Sequence, residues 1–391
     1  MANQTAQVLT YKDTSTQVRD VMKGTAADIL LSPDEFPFLA RISGGNAKKP
    51  ALTSLSAEGG KTRNTKYEWA NKYLRPLSWT LSADITNVAT TFWFAADGIQ
   101  CLPNMIIKCE DEYILVTANN GTSAVTVTRG YLGSTAAAHT TAKPVYFVTR
   151  AFDENGAVPS DAYITPDMEY NHVQQFAEEF VISDIEKGME RYFEDDKVAE
   201  REQEKTLEIL RSIEVGIFKN RTRQAFSSTT MGVAAGAYSY VAASNITNKA
   251  GAALTRADIT ALLTRQQKQV GQGRISNLVV CNGAAMEKLS DLFSSGYVTL
   301  YRDNAEKVAG YAINKIQTNM GEVEILLSTY LDDNELWFFK EEYCGWGFMD
   351  KNELRTEPVA VTNLGSRWVT KCAGTYEQRS PFSHGYIYNF I

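Results

Sequence analysis

Three histidines, five cysteines and several acidic pairs are the side chains in this 391-residue sequence that could bind a metal or catalyse a reaction. His139, His172 and His384 are remote from one another, and none belongs to the His-Glu-x-x-His spacing that turns two imidazoles toward zinc from one helix face. Cys101, Cys109, Cys281, Cys344 and Cys372 are odd in number and contain no Cys-x-x-Cys pair, so they imply neither a disulfide framework nor a zinc site. Gly59-Gly60-Lys61-Thr62 resembles the tail of a phosphate-binding loop, but Leu55 stands where the leading glycine belongs and no apolar strand precedes it. Gly271-x-Gly273 closes a helical stretch and has Ser276 in place of the third glycine of a dinucleotide fingerprint. Asp332-Asp333-Asn334-Glu335 lacks the glycine and the spacing of a calcium loop and reads as a solvated turn. Glu178-Glu179 and Asp195-Asp196 read as neighbouring charges on an exposed helix face, not as an acid and base held apart for catalysis. No Gly-x-Ser-x-Gly elbow offers a hydrolase nucleophile. The sequence therefore assigns no catalytic, cofactor-binding or metal-ligating residue, calls for no cofactor, and points away from an enzyme.

What remains is a chain built to bury surface. At 44% hydrophobic and 11% aromatic it can form a sizeable core, on a scale of two to three domains. Its formal charge of -7 argues against a protein that grips nucleic acid, which needs clustered Lys and Arg to neutralise phosphates. The polar start Met1-Ala2-Asn3-Gln4-Thr5 has neither the basic opening nor the apolar stretch of a secretory signal, and no apolar run reaches a membrane-spanning length. The expectation is a soluble chain, intracellular when made.

Along the chain, a polar stretch leads to Phe36-Pro37-Phe38-Leu39-Ala40-Arg41-Ile42, one anchoring apolar patch on what reads as an extended arm, and then to Ser43-Gly44-Gly45-Asn46. Residues 52–66, centred on Glu58-Gly59-Gly60-Lys61-Thr62-Arg63-Asn64, are too small and polar to fold alone and are expected to order against a neighbour. Between Trp79 and Arg150 come strand-length runs at 105–108, 113–117, 125–128 and 145–148, with Asn119-Asn120-Gly121-Thr122 as a hairpin turn, which predicts a small separate β-domain. An extended return is expected over Phe152 to Pro166.

Ser183-x-x-Glu186 fits a capping box, and Phe176 to Ile182 before it reads as strand. Leu207, Leu210, Ile213 or Glu214, and Ile217 then recur at three- and four-residue spacing, the apolar stripe of a long helix. Residues 169–219 hold 14 acidic and 7 basic side chains, so the whole chain's net charge is concentrated there. Thr255-x-x-Asp258 opens a helix to about Val270; Leu278 to Cys281 reads as a buried strand and Ala284 to Phe293 as a helix. Further strands are expected at 323–327, 336–339, 358–361, 368–373 and 385–390, making this half α+β. The aromatic runs Leu336-Trp337-Phe338-Phe339 and Tyr343-Cys344-Gly345-Trp346-Gly347-Phe348 lack interleaved Arg or Lys and read as core, not as base-stacking platforms.

In this order the parts resemble the tailed-bacteriophage major capsid (major head) protein family over nearly the whole chain. The resemblance rests on Phe36-Pro37-Phe38-Leu39 after a polar arm, Lys66-Tyr67-Glu68-Trp69 before a loop, and Arg211-Ser212-Ile213-Glu214-Val215 at the end of the acidic helix. It rests also on Gly321-Glu322-Val323-Glu324-Ile325 and on the closing run from Tyr376 to Ile387. It implies an α+β, Johnson-type phage major capsid fold: an N-terminal arm at 1–50, an extended loop at 51–168 carrying the inserted β-domain at about 79–150, and a spine helix with the start of a peripheral domain at 169–235. A mainly axial domain would follow at 236–350, with C-terminal strands at 351–391. The β-domain is a departure from the minimal family pattern, and is expected to bridge neighbours or form a surface knob.

The function implied is a structural subunit that self-assembles into pentamers and hexamers, forming an icosahedral head around packaged double-stranded DNA that it does not bind sequence-specifically. Its partners would be itself, with portal, scaffold, decoration or cement proteins as further candidates and no membrane. Its location would be the virion capsid, assembled in the host bacterial cytoplasm. Some members join subunits by lysine–asparagine isopeptide bonds; Lys61 and Asn64 lie in the loop, but no partner or catalytic carboxylate is assigned to them. Two rival readings are an encapsulin-like bacterial nanocompartment shell and a hydrolase with a cryptic Ser or Cys nucleophile. The β insertion and long arm favour the phage capsid over the encapsulin.

Overall fold

A computed structural model of the chain describes residues 36–42, 62–73, 75–95, 98–119, 121–152, 154, 165–188, 197–294, 315–318, 320–359 and 365–391. Most of the expected arm, the loop core around Gly59-Gly60-Lys61, Asp195-Asp196 and most of the return after Phe152 lie outside these residues. The chain divides into two units, one made of residues 1–69 with 168–391 and the other of residues 70–167.

In the first unit a six-stranded mixed sheet runs in the order β10 (Ile246–Asn248), β18 (Gly385–Tyr388), β14 (Glu335–Phe339), β11 (Leu278–Cys281), β13 (Gly321–Leu327) and β12 (Lys315–Thr318). Both faces of this sheet are covered, which is why β11 and β14 are apolar at every step or nearly so instead of alternating. Val279, Cys281, Leu336, Phe338 and Ile387 face one core with the helices α4 (Arg256–Val270) and α5 (Gly283–Ser294). Leu278, Val280, Trp337, Phe339 and Tyr386 face the other, with α1 (Pro37–Ile42) and the 23-residue α3 (Lys197–Lys219). A short helix, α2 (Asp184–Gly188), begins at Ser183, whose Oγ accepts from the Glu186 amide. The predicted box on α4 is complete: the Thr255 side chain and the Asp258 carboxylate each take the other residue's amide.

A second sheet is organised on β17 (Ser366–Gln378), 13 residues long, which pairs with β9 (Gln174–Ile182), β15 (Cys344–Phe348) and β16 (Arg355–Val359). The Cys344 to Phe348 run expected as core is indeed fully buried, as strand β15. Glu178 and Glu179 lie on β9, not on a helix face; Glu178 pairs toward Lys205 and Glu179 toward Arg367, so the strand's alternation separates them. The strands β1 (Lys66–Asn71) and β8 (Asp167–His172) pair with each other as the chain leaves and regains this unit.

The second unit is a sheet in the order β2 (Ser78–Thr80), β7 (Pro144–Arg150), β4 (Met105–Cys109), β5 (Glu112–Asn119), β6 (Ala124–Tyr131), β3 (Thr91–Trp93). Its two ends join. Leu81 bridges Phe94, the Ser82 amide donates to Trp93 O at 2.9 Å and the Ala95 amide to Thr80 O at 2.9 Å. The sheet therefore closes into a six-stranded barrel, which leaves no unpaired edge among its described strands. Alternation fills it: Val125 and Val127 point into the core with Phe92, Ile114, Val116 and Val145, while Thr126 and Thr128 face out. The β5–β6 hairpin turns at Gly121, whose φ of +75° is cheap only for glycine.

Candidate assembly interface

Phe36, Phe38, Leu39 and Ile42, the anchoring patch read from the sequence, are all buried. Six residues are too few for a helix to hold itself together in water, so α1 exists through its contacts. The Phe38 ring lies 4.6 Å from Phe339 and 5.1 Å from Phe218 of α3, centroid to centroid. Arg41 spans outward to Glu324 on β13 (2.6 Å) and to Glu341 (2.8 Å). Beneath the helix is Glu214, fully buried on the apolar stripe of α3. It accepts the Leu39 amide at 3.2 Å and the Ser328 hydroxyl at 3.1 Å. Burial pushes its carboxyl up to about 7, against the opposing pull of the Leu39, Ser328 and Phe38 donors.

One end of the barrel holds a dense ionic cluster. Glu112 is buried; Arg129 grips it with two bonds of 2.7 Å, and the Gly130 and Ala137 amides and His139 Nε2 complete its shell at 3.1, 3.1 and 2.9 Å. His139 Nδ1 faces Glu110 at 2.9 Å, and Glu110 takes Lys143 at 2.5 Å. Burial alone would raise the Glu112 carboxyl, but the donors prevail and hold it down at about 2. Arg129 spends its remaining protons on Thr86 O, Ala89 O and Ala137 O. Every member of the cluster is thus satisfied by another, as in a structural clamp tying loops to strands.

The outside of the barrel carries a row across five strands: Ser78, Tyr146, Lys108, Tyr113 and Tyr131 are successive cross-strand partners. Tyr146 is 55% exposed, and Lys108 Nζ lies 5.4 Å from the centre of the Tyr113 ring. Leu77, Trp93, Val148 and Phe152 of the same unit are also exposed. One exposed tyrosine beside two half-buried ones suits a protein contact area, where tyrosine is enriched.

Of the three histidines, His139 alone has side-chain hydrogen bonds to carboxylates among the described residues. His384 is buried, with Nε2 2.9 Å from Arg379 O, and burial pushes its imidazole down to about 4. His172 packs edge-on against Tyr170. The five cysteines are all free and buried, their thiols pushed up to about 11 or 12 by desolvation. Asp332 and Asp333 of the expected solvated turn pair with Lys219 and Asn282. Among the described residues, no group of three or more His, Cys, Asp or Glu could hold a metal, and no helix is long and apolar enough to cross a membrane. The Glu112 cluster was not read from the sequence; its bonded side-chain pairs lie 17 to 33 residues apart with no regular spacing. Glu214 did leave a signal, as a carboxylate at a helical position where the stripe calls for an apolar side chain.

The model of the SU10 major capsid protein family matches residues 10–390 of the chain. No curated protein matches it. Among solved structures the chain is similar to one from Mycobacterium phage Bobi, at 7% identity and TM-score 0.44 over 98% of this chain and 99% of that one. It is similar also to the capsid of cyanophage A-1(L), at 11% identity and TM-score 0.46 over 62% and 85%. The SrpI encapsulin of Synechococcus elongatus gives 10% identity and TM-score 0.41 over 59% and 78%. With every one of these TM-scores below 0.5, the family match alone carries the identification.

Proposed function

The chain belongs to the SU10 major capsid protein family, and from that premise we propose how its parts build a phage head. It is the major capsid protein of a tailed bacteriophage, a structural subunit and not an enzyme, which self-assembles into the icosahedral shell of the virion. The family match over residues 10–390 is the single observation that carries this reading. Beyond it, the subunit forms pentamers and hexamers in the host cytoplasm and encloses double-stranded DNA without reading its sequence. The charge of -7 supports this, since a cation-lined container would hold its genome by counterion release. Portal, scaffold and decoration or cement proteins complete the set of partners.

Residues 1–50 act as the N-terminal arm and 51–168 as the extended loop. Residues 169–235 supply the spine and the start of the peripheral domain, 236–350 the mainly axial domain, and 351–391 its returning strands. What supports this division is the seating of α1 on α3 and the insertion of the barrel between the paired strands β1 and β8. The barrel bridges neighbouring subunits through its outward tyrosine row. Because its edges are closed, that bridge is made by side chains and not by strand addition.

Electron microscopy of the purified chain tests the assembly, with closed shells of uniform diameter and five- and six-membered rings expected. Excising residues 70–167 and joining Trp69 to Met168 by a short Gly-Ser turn tests the bridge. Shells that form but fall apart at lower temperature or denaturant support bridging. Shells of unchanged stability make the barrel a surface knob, and a chain that stays monomeric under every condition removes the capsomer reading.

A further inference from the structure

The anchoring helix is held by a group that proteins seldom bury without reason. Glu214 is fully buried in the middle of α3, and its described partners are the Leu39 and Phe38 backbone and the Ser328 hydroxyl, with no cation among them. The charges on the elements around it are committed elsewhere. On α1, Arg41 is taken by Glu324 and Glu341. On α3, Arg211 lies over the Tyr330 ring at 5.7 Å and Lys219 pairs with Asp332 at 2.7 Å. On β14, Glu335 accepts the Tyr386 hydroxyl at 2.7 Å. The Ser328 amide donates to Cys281 O, and that cysteine is a neutral thiol. Among the described residues no cation compensates a negative charge at Glu214, and α1 covers it without being woven into a sheet.

We propose that Glu214 is a proton-operated latch on the N-terminal helix: the neutral carboxyl seats α1 firmly, and ionisation loosens it from the spine helix. The reasoning is one of linkage. With α1 seated, burial raises the carboxyl to about 7; with α1 lifted, water reaches it and it returns toward its ordinary value of 4.5. A raised value in the seated state means that the extra hold is fully present below the ordinary value and is lost as pH rises toward 7. The loss is about tenfold per pH unit, about 300-fold in all, with a plateau above 7. The latch thus tightens the arm in acid and slackens it at neutral pH, giving the shell subunit a segment whose attachment responds to one proton.

Hydrogen exchange of the Leu39 to Ile42 amides in the full-length unassembled chain, from pH 4.5 to 8.5 and corrected for intrinsic rates, reads this directly. The expected result is protection falling about 300-fold between pH 4.5 and 7 and then levelling. Glu214→Gln, which cannot ionise, should give a flat profile at the acid level, and Phe38→Ala supplies the unseated reference. Equal pH slopes in the parent and Glu214→Gln would overturn the proposal, as would no change with pH in the parent. Should Glu214→Gln fail to fold, Ser328→Ala decides: with one donor to the carboxylate gone, the levelling point must move above 7, and an unmoved levelling point refutes the latch.

Discussion

Replacing Arg129 by Met should uncouple the barrel locally and by an amount the geometry sets. The guanidinium is 7% exposed and its partner carboxylate 1%, so Met fills the volume but leaves Glu112 charged and buried with only His139 and two amides to hold it. Breaking a buried pair from one side costs about 3–5 kcal/mol. The fall of the Glu112 carboxyl from 4.5 to about 2, the joint work of Arg129, Ala137, His139 and Gly130 against desolvation, corresponds to roughly 3 kcal/mol for the whole shell. The assay is native-state hydrogen exchange of the Val116 and Val127 amides in the intact chain at pH 7, where about 3 kcal/mol appears as exchange faster by about two orders of magnitude. The double variant Glu112→Gln with Arg129→Met should recover much of the loss, since no charge is then stranded. Because the Glu112 carboxyl is depressed, its contribution is present above 4.5 and is lost as pH falls through about 2. The parent barrel should therefore weaken over that acid window and Arg129→Met much less. Acceleration below tenfold, or equal acceleration in β11 and β14 of the other unit, would refute the reasoning.

Three further outcomes are expected. Gly236→Ala should destabilise the first unit by about 1–3 kcal/mol in denaturant unfolding, because the new Cβ would stand 2.3 Å from Ile217 O at the end of α3. Thr255→Ala removes the cap of α4 and should cost about 1 kcal/mol, with exchange accelerating first in the amides of residues 256–259. An aromatic disulfide reagent should titrate none of the five thiols in the native chain at pH 8 and all five after denaturation, since each is buried with its thiol pushed up to about 11 or 12.

The sequence made legible whatever local periodicity and turn chemistry control. Thr255 and Asp258 announced α4, the Leu207-to-Ile217 stripe announced α3, and four β-branched runs announced most of the barrel's strands. It hid what depends on distant partners. The strands β2 and β3 are three residues each and carry no run to notice; they matter because Leu81 meets Phe94, which closes the barrel. The run from Tyr343 to Phe348 reads as core but does not announce the strand β15, whose glycines carry no strand signal; the Trp346 ring packs against Gly374 of β17, where a Cβ would come within 2.7 Å of it. Pairing Arg129 with Glu112 across a hairpin is equally invisible, since the register that joins them is set by the turn and not by either residue.

A protein that must meet many copies of itself faces a hazard that several of the described edges answer. Free strand edges recruit any other edge, and at the concentrations of a growing shell that would compete with correct contacts. Here the barrel has closed on itself, β10 is only three residues long, and the edge strand β16 carries Arg355, Glu357 and Pro358, charges and a missing donor that discourage pairing. The bridging proposed above therefore falls to side-chain surfaces such as the tyrosine row. The two buried carboxylates act with opposite signs: Glu112, fully paired, stiffens a module as pH rises from the acid range, while Glu214, with no cation, weakens an attachment over the neighbouring window. If both slopes are measured in one chain, the barrel should gain protection between pH 2 and 4.5 and α1 should lose it between 4.5 and 7, a reversal that no uniform effect of acid on the fold can produce.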